Sequence, residues 1–189
     1  MNNRNSITPS LPDVDGKLST FRAALLNLIR QNASVTGALQ TPPVCRLDLN
    51  DADFALTAGS TVQVEWTNAG IDTHGWFDSA NYRWTPKRYG YYAFSFCALL
   101  NSTTLAAGYA VARVKKNGTE IAGAVSKTDG SAIPVSTMMV SDVCLMNGSS
   151  DYLETFVTVP AASTDPVLQG LARRSWFAIR YVGTQGLAI

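Results

Sequence analysis

From Cys45 onward the apolar residues of this chain recur at every second position, and that period constrains the fold more than any other feature. A period of two belongs to strands whose side chains point alternately to opposite faces, with one face in a core. In "STVQVEW", Val62, Val64 and Trp66 alternate with Thr61, Gln63 and Glu65. In "YYAFSFCALL", Tyr92, Phe94, Phe96, Ala98 and Leu100 alternate with Tyr91, Ala93, Ser95, Cys97 and Leu99. Neither set in this second stretch is strongly polar, so the spacing predicts a strand covered on both sides.

Turn chemistry divides the alternating runs. In "AGYAVARVKKNGTEIAGAV" the pair Asn117-Gly118 suits the positive backbone angles of a tight two-residue turn and predicts a hairpin. Asn147-Gly148, between "MMVSDVCLM" and "DYLETFVTV", predicts a second hairpin, and "SWFAIRYV" supplies a last strand. Several short strands without helical patterns between them indicate a sandwich or barrel.

The first 44 residues follow a different rule. Pro9 and Pro12 make residues 1–15 an extended arm. Leu18, Phe21, Leu25, Leu28, Asn32 and Val35 then fall at spacings of three and four, predicting one short α-helix between Asp15 as cap and Gly37 as stop. Alone in water such a helix is marginal. Burying Phe21, Leu25, Leu28 and Ile29 supplies about 1.5–3 kcal/mol per side chain, so the helix must dock. A three-helix bundle on a threefold axis, another protein and the chain's own domain are the available partners. Residues 38–44, with Pro42 and Pro43, read as a hinge. The expected organisation is therefore an anchoring or trimerising segment, 1–44, followed by a β head, 45–189.

Composition excludes several function classes. Charged residues are 15% of the chain, below the roughly 25% of typical soluble domains, which suits a surface partly covered by neighbours. The formal net charge is +1 and the basic residues are scattered pairs, so no nucleic-acid partner is expected. No apolar run is long enough for a membrane span. The N-terminus lacks the apolar core of a signal peptide, and three widely spaced cysteines, Cys45, Cys97 and Cys144, read as buried reduced thiols. A disulfide or a nucleophilic thiolate is the alternative.

His74 is the single histidine, so multi-histidine zinc sites are unavailable and a Ser-His-Asp triad would have to use it. "DLNDAD", Asp48 to Asp53, lacks the Gly and distal Glu of a helix-loop-helix calcium site and reads as a solvated loop. No catalytic residue, metal site or cofactor is expected. The one candidate ligand loop is "GIDTHGWFDSANY": Trp76 and Phe77 could stack on sugar faces while Asp72, Asp78 and Asn81 accept hydrogen bonds. Alternatively, Trp76 and Phe77 pack down as plugs at the strand ends.

Taken in order, "WFDSANYRWTP", "YGYYAFSF", "VKKNG", "VCLMNGSSDYLETFV" and "SWFAIRYV" resemble the tumour-necrosis-factor-like jelly rolls, in particular the complement-q-like heads, from about Cys45 to Val182. The resemblance implies a mainly β, ten-strand, two-sheet jelly-roll sandwich that trimerises about a threefold axis with its N-termini gathered at one end. It also implies aromatic burial near that axis, making Tyr92, Phe94, Trp176 and Ile179 candidates for interface or core. The chain departs from the pattern in lacking a collagen-like repeat, in carrying Ala178 where glycine is common, and in spreading a Gly-Asp pair over Gly148 to Asp151. An axial calcium site is therefore not carried over.

These features together support the expectation of a non-enzymatic bacteriophage virion protein: a homotrimeric spike, head fibre or decoration protein. Its arm would bind other capsid or tail proteins, and it would be assembled in the bacterial host cytoplasm. A tail-borne adhesin that recognises host surface glycans is the alternative.

Overall fold

A computed structural model describes residues 25–26, 42–130 and 135–184. The chain divides into two compact units, Met1–Thr41 and Pro42–Ile189. In the first, Leu25 and Leu26 are helical and exposed; Leu18, Phe21, Leu28 and Ile29 of the expected anchor helix lie outside the described residues.

The described residues of the second unit form thirteen strands: β1 (Val44–Asp48), β2 (Phe54–Ala55), β3 (Thr61–Gln63), β4 (Asn68–Asp72), β5 (Phe77–Asp78), β6 (Arg83–Trp84), β7 (Tyr89–Asn101), β8 (Gly108–Lys116), β9 (Thr119–Thr128), β10 (Val135–Asn147), β11 (Leu153–Thr158), β12 (Val167–Leu168) and β13 (Trp176–Gly183). They make two antiparallel sheets, of seven and six strands. Sheet A is built on β7, which pairs along its whole length with β10. Its other edge is shared by β13 and the short β12; β1 and β4 extend the sheet beyond β13, and β2 beyond β12. Sheet B runs β9-β8-β11, with the far edge of β11 shared by β3 and β6, and β5 beyond β6.

The ten-strand expectation is corrected to thirteen among the described residues, because the edges are broken into pieces of two or three residues. Turns do the breaking. Between β5 and β6, for example, the Asp78 carboxylate accepts the amides of Ala80 and Asn81 at 3.0 and 3.3 Å and turns the chain after two residues.

Asn117-Gly118 forms the expected hairpin: φ is 52° and 79° at the two residues, and Lys116 faces Thr119. Asn147-Gly148 does not. Strand β10 pairs with β7 in sheet A and β11 with β8 in sheet B, so the chain crosses between sheets here. The Asn147 side-chain oxygen accepts the amides of Ser149, Ser150 and Asp151 at 2.9, 3.0 and 3.0 Å, curling the backbone into a compact reversal. The Asp151 carboxylate then accepts Asn147 N at 2.8 Å and Asn117 Nδ2 at 2.8 Å, and pairs with Lys116 Nζ at 2.8 Å. One carboxylate thus joins the crossover to the β8–β9 hairpin. Gly148 is required at the reversal: its φ is +72°, and a Cβ there would meet Tyr89 N at 2.3 Å.

The core lies between the sheets. The even-numbered set of β7 is buried, with Tyr92, Phe96, Ala98 and Leu100 at 0% exposure. Trp66 sets its edge against Phe96 at a centroid distance of 5.9 Å and donates Nε1–H to Thr155 Oγ1 at 3.0 Å. Large side chains of this kind contribute about 1.5–3 kcal/mol each on burial. The odd-numbered set is not closed over within one chain: Tyr91, Ala93, Ser95 and Leu99 stay half-buried, and Cys97 alone of the five is buried.

The "DLNDAD" stretch is also corrected. Asp48 closes β1 and is 1% exposed. Its carboxylate accepts Asn50 N and Asn68 Nδ2, both at 2.9 Å, with Arg173 Nε at 4.0 Å. Asp53 accepts Gly170 N at 2.9 Å. The stretch is tied to the 170s loop, with Asp48 at its buried start.

Candidate assembly interface

Strand register carries the odd-numbered face of β7 across sheet A. Ser141, Ser95, Ala178, Arg46 and Ile71 form one row over β10, β7, β13, β1 and β4. Val143, Ala93, Arg180 and Val44 form the next. Small side chains in the middle of these rows leave a depression of about 290 Å³, floored by Ala93, Ser95 and Ala178 and flanked by Ile71, Arg46 and Arg180. No acidic residue lines it among the described residues.

Bulk collects at the β10 edge instead, where Met139 and Val143 are 57% and 51% exposed and Val135 and Leu145 are exposed as well. Exposed apolar side chains thus stand on the strand next to the hollow. The arginines here lack ion-pair partners among the described residues; Arg46 lies over the Trp176 ring at 4.9 Å.

The four residues expected at the axis or in the core divide by parity. Tyr92, Phe94 and Ile179 face inward, at 0%, 2% and 1% exposure, and the Tyr92 hydroxyl donates to Arg88 O at 2.9 Å. Trp176 is opposite Cys97 on the outer face and half-buried. The outer-face residues Ala93, Ser95, Arg46 and Arg180 are ones sequence reasoning missed, whereas Ala178 stood out only as a departure from the family pattern. The available signal was the weakly polar odd-numbered set of "YYAFSFCALL".

The candidate ligand loop is brought together, but its acceptors are occupied. Asp72 accepts Phe77 N at 2.8 Å and His74 N at 3.4 Å. Asp78 accepts Asn81 Nδ2 at 2.7 Å together with the two turn amides, and that side-chain bond leads the interactions that hold its carboxyl below the ordinary range. Trp76 is half-buried, with the His74 ring at 4.6 Å and the Trp84 ring at 5.8 Å. His74 Nδ1 meets the Thr73 hydroxyl at 2.8 Å, and that hydroxyl also accepts Val44 N at 3.0 Å, an arrangement that braces the loop.

All three cysteines are free thiols. Burial, helped by the Asp72 charge, pushes the Cys45 pKa far up, and burial pushes Cys144 up to about 11. Cys97 is raised by burial against the opposing charge of Arg46. Among the described residues no cluster of three metal-ligating side chains occurs, and no helix is long and apolar enough to cross a membrane.

No protein-family model and no curated protein matches the sequence. Solved structures do resemble the fold. Murine APRIL at pH 5.0 superposes with a TM-score of 0.57 at 10% identity, covering 75% of this chain and 99% of that one. Eiger TNF from S. frugiperda superposes with a TM-score of 0.59 at 8% identity, covering 79% of this chain and 98% of that one. At such identities the likeness concerns the backbone alone, and with the two antiparallel sheets it establishes a mainly β, tumour-necrosis-factor-like jelly roll.

Proposed function

We propose that this chain is a non-enzymatic virion structural protein of a bacteriophage: a homotrimeric spike, head fibre or decoration protein. In this reading its N-terminal segment, 1–44, binds other virion proteins and its jelly-roll head is displayed outward. The observation that carries the assembly part is the outer face of sheet A, apolar, hollowed and bearing arginines without ion-pair partners among the described residues. Water is a poor final neighbour for such a face, and two further copies of the head would cover it. The phage assignment draws on the low charge, the thiols without a disulfide and the polar, proline-broken arm. Three heads on one anchor would add avidity toward any surface they touch.

The test is the mass of the full chain beside a version lacking residues 1–40, measured by light scattering. A trimer in both means the head assembles itself, which is the expected result. A single chain in both would end the reading, and a trimer only in the full chain would assign trimerisation to the helix.

The adhesin reading draws on Trp76, whose indole is half open beside Gly75. It is the weaker of the two, since Asp72 and Asp78 already serve their own loop. Glycan-array binding lost on Trp76→Ala would restore it.

A further inference from the structure

The hydroxyl of Thr73 has a single hydrogen to give and several acceptors within reach. His74 Nδ1 lies at 2.8 Å, and the carbonyl oxygens of Pro42 and Val44 both lie at 3.3 Å. The same hydroxyl oxygen accepts the amide of Val44 at 3.0 Å. Val44 O already takes the Thr73 amide at 3.1 Å, which leaves Pro42 O as the acceptor with more to gain. These contacts hold the loop after β4 against Pro42–Val44, the stretch by which the chain enters β1. Asp72 fixes the backbone that carries the ring, since its carboxylate accepts His74 N at 3.4 Å and Phe77 N at 2.8 Å. The Trp76 ring stands 4.6 Å from the imidazole, tilted by 38°.

We infer that His74 and Thr73 form a proton-controlled latch on the entry to β1. A neutral imidazole with its hydrogen on Nε2 accepts at Nδ1, and the 2.8 Å contact then takes the Thr73 hydrogen. Protonation makes Nδ1 a donor to Thr73 Oγ1. The hydroxyl oxygen then accepts from both Nδ1 and Val44 N, and its own hydrogen turns to Pro42 O. One proton bound at the ring therefore adds one bond at Pro42. Acid tightens the entry to β1, and loss of the proton releases it. The charged and titratable groups on the elements around the ring are Asp72 on its own loop, Cys45 and Arg46 on β1, Arg83 on β6, and Arg180 and Tyr181 on β13. The arginines keep their charge and burial keeps the Cys45 thiol protonated, so the single histidine is the group that a change near neutrality addresses.

An NMR titration of the full chain tests the latch, because one histidine gives one set of ring signals. Ring nitrogen shifts should show Nδ1 without a hydrogen in the neutral form, and the Pro42 carbonyl carbon should move with the same midpoint as the ring. Across that titration the Val44 amide should gain about threefold in protection from hydrogen exchange, after correction for the intrinsic pH dependence. Thr73 and His74 lie on an exposed loop, so their side chains can be changed without disturbing the core. Thr73→Val removes the hydroxyl and His74→Gln removes the titration, and each should abolish the Pro42 response. Thr73→Ser should keep it. A neutral ring with its hydrogen on Nδ1, a Pro42 carbonyl that stays still while His74 titrates, or a response that survives Thr73→Val would overturn the inference.

Discussion

The outward faces of the two sheets solve the same problem in opposite ways. On sheet B several charges are held within the chain: Arg113 meets Glu120 at 2.9 Å, Arg83 meets Glu154 at 3.5 Å, Arg83 also covers the Tyr152 ring at 4.2 Å, and Lys115 covers Phe156 at 3.9 Å. On sheet A the centre is small and apolar, its arginines find no acid among the described residues, and its edge is bulky. A jelly roll needs only the inner faces of its sheets to fold. The outer faces are therefore where one copy's requirements separate from those of an assembly.

The sharpest way to break this contrast is to place the same new charge on each face. Ala93→Arg, on the floor of the sheet A hollow, should raise the dissociation constant of the assembly roughly a hundredfold or more. Val125→Arg, at an exposed position of β9 in sheet B, should leave the mass unchanged. Equal losses from both, read by light scattering, would show that the faces do not differ in this way.

A smaller effect separates holding the head together from assembling it. Asp151→Asn should cost about 1–3 kcal/mol in the melt of the head, because three donors around the carboxylate lose a charged acceptor. Burial of Asp151 works against ionisation, but the bonds from Lys116, Asn117 and Asn147 outweigh it and set the folded pKa below the ordinary 3.8. Its contribution is therefore fully present above that value and is lost as pH falls through the folded one. Melts from neutral pH to about pH 3 should fall more steeply in the parent than in the variant. Parallel curves would assign the acid loss elsewhere.

The smallest change belongs to sheet B. Glu120→Gln breaks an ion pair whose acid is largely open to solvent, so thermal unfolding should shift by about 0–1 kcal/mol, with no change in mass. A larger loss would mean that the sheet B charges do more than satisfy one another.

Much of the core was legible before any coordinates, for a physical reason. Burial on one face of a strand forces a period of two, so Tyr92, Phe94 and Phe96 declared themselves by spacing. Asn117-Gly118 was equally readable, because a tight turn with positive φ at both positions admits few residue pairs. Asn147-Gly148 offered the same dipeptide and misled, since the partners of β10 and β11 are chosen by distant strands rather than by the residues between them. The hollow was out of reach for a related reason. Ser95, Ala178, Arg46 and Ile71 are far apart in the sequence and become neighbours only through pairing order and register. The same ignorance of sheet order hid the burial of Asp48, whose partners Asn68 and Arg173 come from β4 and the 170s loop.

The thiols have a consequence for where such a head can work. A sulfur kept protonated inside packed strands is a poor nucleophile, so oxidants, disulfides and alkylating agents attack it slowly. With no crosslink to gain or lose, the sandwich should stand equally well on either side of a reducing boundary, its endurance depending on packing alone.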